Sequence, residues 1–171
     1  HAGRKVVIFT QFRKVLDLLG RVLASQNTPY CRIDGNYSSA ARQAELARFA
    51  ECAEESSPRV FIATTRAAGV GLNLQVANTV ILYDSDWNPQ MDLQAMDRAH
   101  RIGQKKQVRV FRFITENSVD EKIIERAERK LYLDAVVIQQ GRLLQQNTKL
   151  GKDEVNAMIK FGADKVFRND K

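Results

Sequence analysis

The segment Lys5-Val6-Val7-Ile8-Phe9-Thr10 is a compact apolar run of the kind that forms a strand buried on both faces of a sheet. A second such run follows at Arg59-Val60-Phe61-Ile62-Ala63-Thr64. Between these two runs, residues 12–25 and 39–52 place apolar side chains at helical spacing. Strands that alternate with helices predict an α/β fold built on a parallel sheet, with helices covering both faces.

Further strands and helices are predicted along the rest of the chain. Three short apolar segments are typical of strands, at residues 30–33, 76–83 and 108–114. The last of these alternates with period two, which indicates a strand with one solvated face. Pro89 is expected to begin a helix that continues to about Arg101.

The C-terminal part of the chain has a different character. Ser118 and Glu121 form the pattern of a capping box, which predicts the start of a long helix. From Gly141 onward the sequence is first rich in Gln and Leu and then basic. We therefore expect a globular body at residues 1–140 and an appendage at residues 141–171.

Composition narrows the class of protein. The 171 residues are 44% hydrophobic and 27% charged, which excludes a disordered tail, a fibrous repeat and a disulfide-rich miniprotein. No apolar run approaches the ~18 residues that a membrane span needs, so no membrane partner is expected. The net charge of +7 favours a polyanionic partner, nucleic acid above all. The cysteines and histidines are scattered without zinc spacing, so no metal site is expected.

A motif rich in arginine, Gln94-Ala95-Met96-Asp97-Arg98-Ala99-His100-Arg101-Ile102-Gly103-Gln104, carries the strongest chemical signal. On a helix Gln94, Arg98 and Arg101 would share one face. Two guanidinium groups three residues apart can converge on one phosphate. The alternative is a surface ion pair of Asp97 with Arg101. No nucleophile–base pair accompanies the motif, so covalent catalysis is not expected.

Small residues and hydroxyls at 64–74, Thr64-Thr65-Arg66-Ala67-Ala68-Gly69-Val70-Gly71-Leu72-Asn73-Leu74, follow a predicted strand directly. Such a segment at the carboxyl end of a strand suits phosphate contact, although an ordinary tight loop would have the same pattern. The sequence contains no P-loop: Gly151-Lys152 lacks both the earlier glycine and the hydroxyl residue. Another domain would therefore hold the phosphates and magnesium of any bound nucleotide.

The segment Ile81-Leu82-Tyr83-Asp84-Ser85-Asp86-Trp87-Asn88-Pro89, followed by the arginine motif, resembles the second RecA-like lobe of Swi/Snf-type superfamily-two ATPases. The resemblance covers about residues 4–138. Val7 to Phe12 is similar to motif IV and Thr64 to Leu74 to motif V, while Ala68 stands where the family more often has glycine. The resemblance implies a RecA-like parallel sheet with helices on both faces, plus a C-terminal helical or extended regulatory appendage.

The end of the chain resembles one branch of this family more closely. Leu133-Asp134-Ala135-Val136-Val137-Ile138-Gln139-Gln140-Gly141-Arg142-Leu143 and Gly151-Lys152-Asp153-Glu154 are similar to the imitation-switch branch of chromatin remodellers. Remodellers of the chromodomain-helicase branch share the body motifs and are the closest competitor. A recombination-type DNA translocase should lack the tail at residues 139–142.

The resemblance implies a nuclear enzyme that hydrolyses ATP with Mg between two lobes and translocates along double-stranded DNA of the nucleosome. The first ATPase lobe of the same protein would bind most of the ATP and Mg, so this lobe should be inactive alone; histones are a further partner that the resemblance leaves open. It also implies roles for individual residues, with arginine fingers at Arg98 and Arg101, nucleotide contacts at Gly71, Asn73, Gln94, Arg98 and Arg101, and DNA contacts at Gln11, Gly35, Thr65 and Arg66. The residues alone also allow a phosphate-binding module without catalytic activity.

Overall fold

A computed structural model describes residues 4–51, 57–69 and 71–146 of the chain. The chain divides into two compact units, His1–Arg129 and Lys130–Lys171. The strands and the sites discussed below all belong to the first unit. Most of the predicted appendage, residues 147–171, lies outside the described residues.

Five parallel strands and five helices make up the described chain, and their bounds follow. The strands are β1 (Val6–Thr10), β2 (Tyr30–Ile33), β3 (Val60–Thr64), β4 (Thr79–Leu82) and β5 (Arg109–Arg112), in the sheet order β2-β3-β1-β4-β5. The helices are α1 (Arg13–Ser25), α2 (Ser39–Ala50), α3 (Thr65–Ala68), α4 (Pro89–Met96) and α5 (Val119–Gln146). The predicted α/β class with a parallel sheet is confirmed.

The core covers both faces of the sheet because successive strand residues point to opposite sides. Phe61 of β3 belongs to a buried cluster with Phe49 of α2, and their ring centroids lie 5.0 Å apart. The next residue, Ile62, is equally buried and points to the other side, where Leu16 of α1 is also buried. Helices therefore cover the sheet on both faces, as the sequence predicted.

Local sequence signals set several helix ends. The Ser38 hydroxyl caps α2 by accepting a hydrogen bond from the backbone N–H of Ala41 at 3.2 Å. Asn88 caps α4 in the same way, immediately before Pro89. At the other end of α2 the buried ammonium of Lys5 donates to the carbonyls of Phe49 and Glu51. A cation at the C-terminus of a helix satisfies carbonyls that have no partner within the helix.

Two predicted strands differ from the observed ones. β4 begins at Thr79 rather than Val76, because the preceding residues form a turn in which Ala77 N–H donates to the Leu74 carbonyl at 2.9 Å. β5 is shorter than predicted, and its Val110 and Phe111 are 44% and 49% exposed. A single buried face was expected for this strand, but among the described residues β5 is the edge of the sheet, with β4 as its one neighbour.

The long helix begins where the sequence predicted. α5 starts at Val119, and the Ser118 hydroxyl accepts from the backbone N–H of Asp120 at 3.1 Å. The Glu121 carboxylate accepts from Asn117 N–H rather than from Ser118 N–H, so the capping box is displaced by one residue. No helix in the described ranges is both long and apolar enough to cross a membrane.

Candidate functional site

A cleft of about 830 Å³ opens at the edge of the sheet where the parallel strands end. The carboxyl ends of parallel strands meet at one edge, and ligands of α/β proteins commonly bind there. Gln11 after β1, Gly35 after β2 and Arg66 in α3 all line this cleft. Thr65 is buried beside them, and its hydroxyl oxygen lies 3.4 Å from Nε2 of Gln11. The structure thus brings together the four residues expected near DNA.

Charges in the cleft are segregated along the sheet edge. The basic residues follow β1, β2 and β3, and the acidic residues follow β4 and β5. The cleft is lined on the first side by Arg13, Arg42 and Arg66, and on the second by Asp84, Asp86 and Asp120. A polyanion would therefore contact the half of the cleft formed by the ends of β1, β2 and β3.

Asp84 joins the end of β4 to the end of β1. Its carboxylate accepts hydrogen bonds from the hydroxyl of Thr10 at 2.5 Å and from the backbone N–H of Gln11 at 2.6 Å. Burial raises the pKa of Asp84, because the two hydrogen bonds compensate only part of the lost hydration. These contacts fix the backbone from which the Gln11 side chain enters the cleft.

A buried carboxylate, Asp34, lies next to Gly35. It accepts from the backbone N–H of Asn36 at 3.0 Å and from Nη2 of Arg32 at 2.9 Å, while Arg13 lies 3.9 Å away. Burial acts to raise the pKa of Asp34, but the Asn36 and Arg32 hydrogen bonds outweigh it and hold that pKa below its usual value. Asp34 therefore remains a fixed anion that orders the loop after β2.

The arginine motif does not form the helix that the sequence predicted. α4 ends at Met96, so Gln94 lies in its last turn, while Arg98 and Arg101 lie in the turn that follows. The expectation that all three residues share one helical face is wrong. The alternative ion pair is also absent, since Asp97 and Arg101 form none in the part of the chain that the structure describes. We call residues 97–103 the arginine turn.

Tertiary contacts explain why α4 stops early. In a continued helix the carbonyls of Arg98 and Ala99 would accept from Ile102 and Gly103. Instead, the Arg98 carbonyl accepts from Leu74 N–H at 3.0 Å, and the Ala99 carbonyl accepts from Nε2 of Gln104 at 3.2 Å. Gly103 then adopts a φ of 101°, which ends the turn in a conformation that favours glycine.

The two arginines of this turn differ in exposure. Arg98 is half-buried, and its Nη2 lies 3.5 Å from the Gly69 carbonyl. Arg101 is exposed, as are Gly71 and Asn73 in the loop that contacts the turn. The residues expected near the nucleotide therefore lie in two adjoining segments, and none of them lines the cleft.

Comparison with known proteins identifies this architecture. Residues 1–103 match the model of the helicase conserved C-terminal domain. The chain belongs to this family. It is 55% identical over 166 residues to the human SWI/SNF-related matrix-associated actin-dependent regulator of chromatin subfamily A member 1, with 96% of this chain covered. It is 54% identical over 163 residues to the ISWI chromatin-remodeling complex ATPase CHR17 of Arabidopsis thaliana, with 95% of this chain covered.

A solved structure supports the same relationship for this helicase C-terminal domain. The crystal structure of the C-terminal part of the Fun30 ATPase domain superposes with a TM-score of 0.68 at 42% identity, covering 72% of this chain and 39% of that one. The predicted RecA-like fold and the resemblance to Swi/Snf-type and imitation-switch ATPases are confirmed. The chain spans only 15% and 16% of the lengths of the Arabidopsis and human relatives.

Two carboxylates of this helicase C-terminal domain hold its backbone in place, although the sequence analysis assigned them no role. Asp84, which supports Gln11, could have been recognised as an acidic residue at a strand end. Asp92 in α4 is almost fully buried, with Oδ1 accepting from Asp86 N–H at 3.2 Å and Oδ2 lying 3.5 Å from Nη2 of Arg112. Burial raises the pKa of Asp92 to about 6. Nothing in the sequence indicated that Asp92 faces inward.

The described residues of this domain contain no group of three or more His, Cys, Asp or Glu side chains arranged to hold a metal ion. The acidic side of the cleft is formed by Asp84, Asp86 and Asp120. Its carboxylates are engaged in support of the backbone, as the contacts of Asp84 show.

Proposed function

We propose that this chain is the C-terminal lobe of an ATP-dependent DNA translocase that remodels nucleosomes and belongs to the imitation-switch type. The observation that carries the proposal is the composition of the cleft. Gln11, Gly35 and Arg66 come from three separate segments of the chain and line one side of the cleft together with two further arginines. Its relatives have names that describe chromatin-remodelling ATPases.

The basic side of the cleft is the proposed contact with the sugar–phosphate backbone of DNA. Arg66 is exposed, and Gly35 leaves open space around its Cα. Both features suit close approach of the DNA sugar–phosphate backbone. Contacts with this backbone position a protein on DNA but carry no sequence information. Binding of duplex DNA here should therefore have low sequence specificity.

The arginine turn is the proposed contribution of this lobe to hydrolysis. Phosphoryl transfer is catalysed mainly by positioning and by stabilising charge, which a guanidinium group does without any proton transfer. Arg98 and Arg101 would act on ATP and Mg that are held mainly by a first ATPase lobe. Gly71, Asn73 and Gln94 would border the same nucleotide. A remodeller works on chromatin, so the proposed location is the nucleus, with nucleosomal DNA and histones as partners.

A comparison of two arginines tests the proposal. In the full-length ATPase, Arg66→Ala should raise the concentration of duplex DNA that half-maximally stimulates hydrolysis, because the exposed guanidinium lines the cleft. Arg21→Ala is the matched control, since Arg21 is an exposed arginine of α1 that does not line the cleft. Equal DNA requirements for both variants would contradict the proposed DNA contact.

A further inference from the structure

Two glutamines join the arginine turn to the loop that precedes β4. Gln104 directly follows the turn, and Gln75 lies in the loop formed by residues 71–78. Each side-chain amide makes a hydrogen bond to the main chain of the other segment. We call this pair the glutamine latch.

Gln104 is the more heavily engaged of the two. Its Nε2 lies 2.8 Å from the Gln75 carbonyl, 3.0 Å from the Ala77 carbonyl and 3.2 Å from the Ala99 carbonyl. The amide has only two hydrogens, so at least one of them is shared between two carbonyls. Its Oε1 accepts from Lys106 N–H at 3.0 Å. These contacts fix the orientation of the amide, because in the reverse orientation Oε1 would face three carbonyl oxygens and Nε2 would face the Lys106 N–H.

Gln75 completes the latch from the loop side. Its Nε2 donates to the Ile102 carbonyl at 2.7 Å, one residue after Arg101. A backbone hydrogen bond from Leu74 to Arg98, at 3.0 Å, lies next to it. The carbonyls of Arg98, Ala99 and Ile102 are thus all held by the loop or by Gln104.

The arginine turn needs such support because it has no regular secondary structure. α4 ends at Met96, and the polar side chains of the turn are exposed or half-buried. Ala99 is its one fully buried side chain, and Ile102 is 99% exposed. Side-chain packing therefore holds the turn at one small residue, Ala99. Hydrogen bonds to the main chain of the turn determine where Arg98 and Arg101 lie.

We propose that Gln104 is a positioning residue for Arg98 and Arg101. It holds both arginines in place by fixing the arginine turn to the loop at residues 71–78. The proposal rests on the proposed function, since it concerns the same ATP hydrolysis. The loop at residues 71–78 follows α3 in the sequence, and Arg66 of α3 lines the cleft, so the latch lies between the segment of a proposed DNA contact and the proposed fingers.

The test is steady-state ATP hydrolysis by the full-length ATPase at saturating duplex DNA. Gln104→Met keeps the size of the side chain and removes its hydrogen bonds. We expect kcat to fall at least about tenfold, because a misplacement of about 1 Å can cost about 10²-fold in rate. KM for ATP and the thermal unfolding temperature should stay near those of Gln107→Met, a control at an exposed glutamine three residues away.

Other outcomes have definite meanings. A kcat equal to that of Gln107→Met, or a joint change of kcat, KM and unfolding temperature, would overturn the positioning role. If Gln104→Met does not fold, Gln75→Met removes the bond to Ile102 at a half-buried position of the loop, and an unchanged kcat for that variant would overturn it too. Arg101→Ala in the same series separates the two hypotheses: if it keeps normal turnover, the proposed finger fails, whatever Gln104→Met does.

Discussion

The backbone N–H of Gln11 donates to the Asp84 carboxylate at 2.6 Å, and this bond ties the end of β1 to the end of β4 at the rim of the cleft. The same carboxylate accepts from the hydroxyl of Thr10, which is fully buried. The Asp84 side chain therefore holds the backbone of Gln11, whose side chain is a proposed DNA contact.

Asp84→Ala should destabilise the chain by about 2 kcal/mol or more, because it leaves a buried hydroxyl and a backbone N–H without an acceptor. Urea unfolding of the 171-residue chain measures this loss. Asp86→Ala is the control, since its carboxylate accepts only a local, exposed hydrogen bond from Asn88 N–H. Equal stability of the two variants would show that the tie between β1 and β4 is unimportant.

Asp92 should give the chain a specific pH dependence. Its pKa of about 6 in the folded state exceeds the value near 3.9 of an unfolded aspartate, so the folded state binds the proton more tightly. The free energy of unfolding should therefore decrease as pH rises from about 4 to about 6, by roughly 3 kcal/mol, and then level off.

Asp92→Asn should remove that decrease, because an amide cannot ionise. Urea unfolding at intervals from pH 4 to pH 8 gives the difference between variant and original chain, which cancels the contribution of Asp84, whose pKa is shifted in the same direction. A difference that stays constant over this range would contradict the assignment to Asp92.

Gly35→Ala should weaken DNA binding severalfold while leaving stability nearly unchanged. An added Cβ at Gly35 would have no atom within 4 Å, and its backbone does not have positive φ. A methyl group there can only obstruct a ligand that approaches from outside. Gly71→Ala is the contrasting variant, since its φ of 75° should make the substitution cost about 1 kcal/mol. Unchanged DNA affinity for Gly35→Ala would remove Gly35 from the proposed contact.

The chain alone should bind duplex DNA weakly, with an affinity that falls steeply with salt, and should not hydrolyse ATP. Each phosphate neutralised contributes about −0.9 to the slope of log K against log salt. Arg66→Ala should therefore reduce the slope by about one. Fluorescence anisotropy at several salt concentrations measures this; salt-independent binding, or turnover by the chain alone, would contradict the proposal.

Strand positions could be predicted from the sequence because buried parallel strands are continuous apolar runs, as in Val6–Thr10 and Val60–Thr64. The end of α4 could not be predicted, because it depends on two hydrogen bonds from outside the helix. Leu74, which is distant in the sequence, donates to the Arg98 carbonyl, and Gln104, which follows the helix, donates to the Ala99 carbonyl. The exposure of Phe111 could not be predicted either, because it follows from the position of β5 at the edge of the sheet. The alternation of polar and apolar residues within a strand contains no information on the order of the strands.

The candidate site was predictable to a similar degree. The resemblance identified Gln11, Gly35 and Arg66, and the parallel sheet explains why segments so far apart in sequence line one cleft. The sequence did not reveal that Asp84 and Asp92 support their surroundings, because this role depends on contacts with Gln11 and Arg112, which lie in other segments of the chain.

The most direct test of the account is ATP hydrolysis by full-length Arg101→Lys with and without duplex DNA. Lysine keeps the charge but lacks the planar fork of donors, and an arginine finger is worth about 10³-fold or more in rate. DNA-stimulated hydrolysis should fall by about that factor, while binding of ATP and DNA changes little. Arg109→Lys, at an exposed arginine of β5, should retain turnover. Near-normal hydrolysis by Arg101→Lys would contradict the finger role and, with it, the catalytic part of the proposed function.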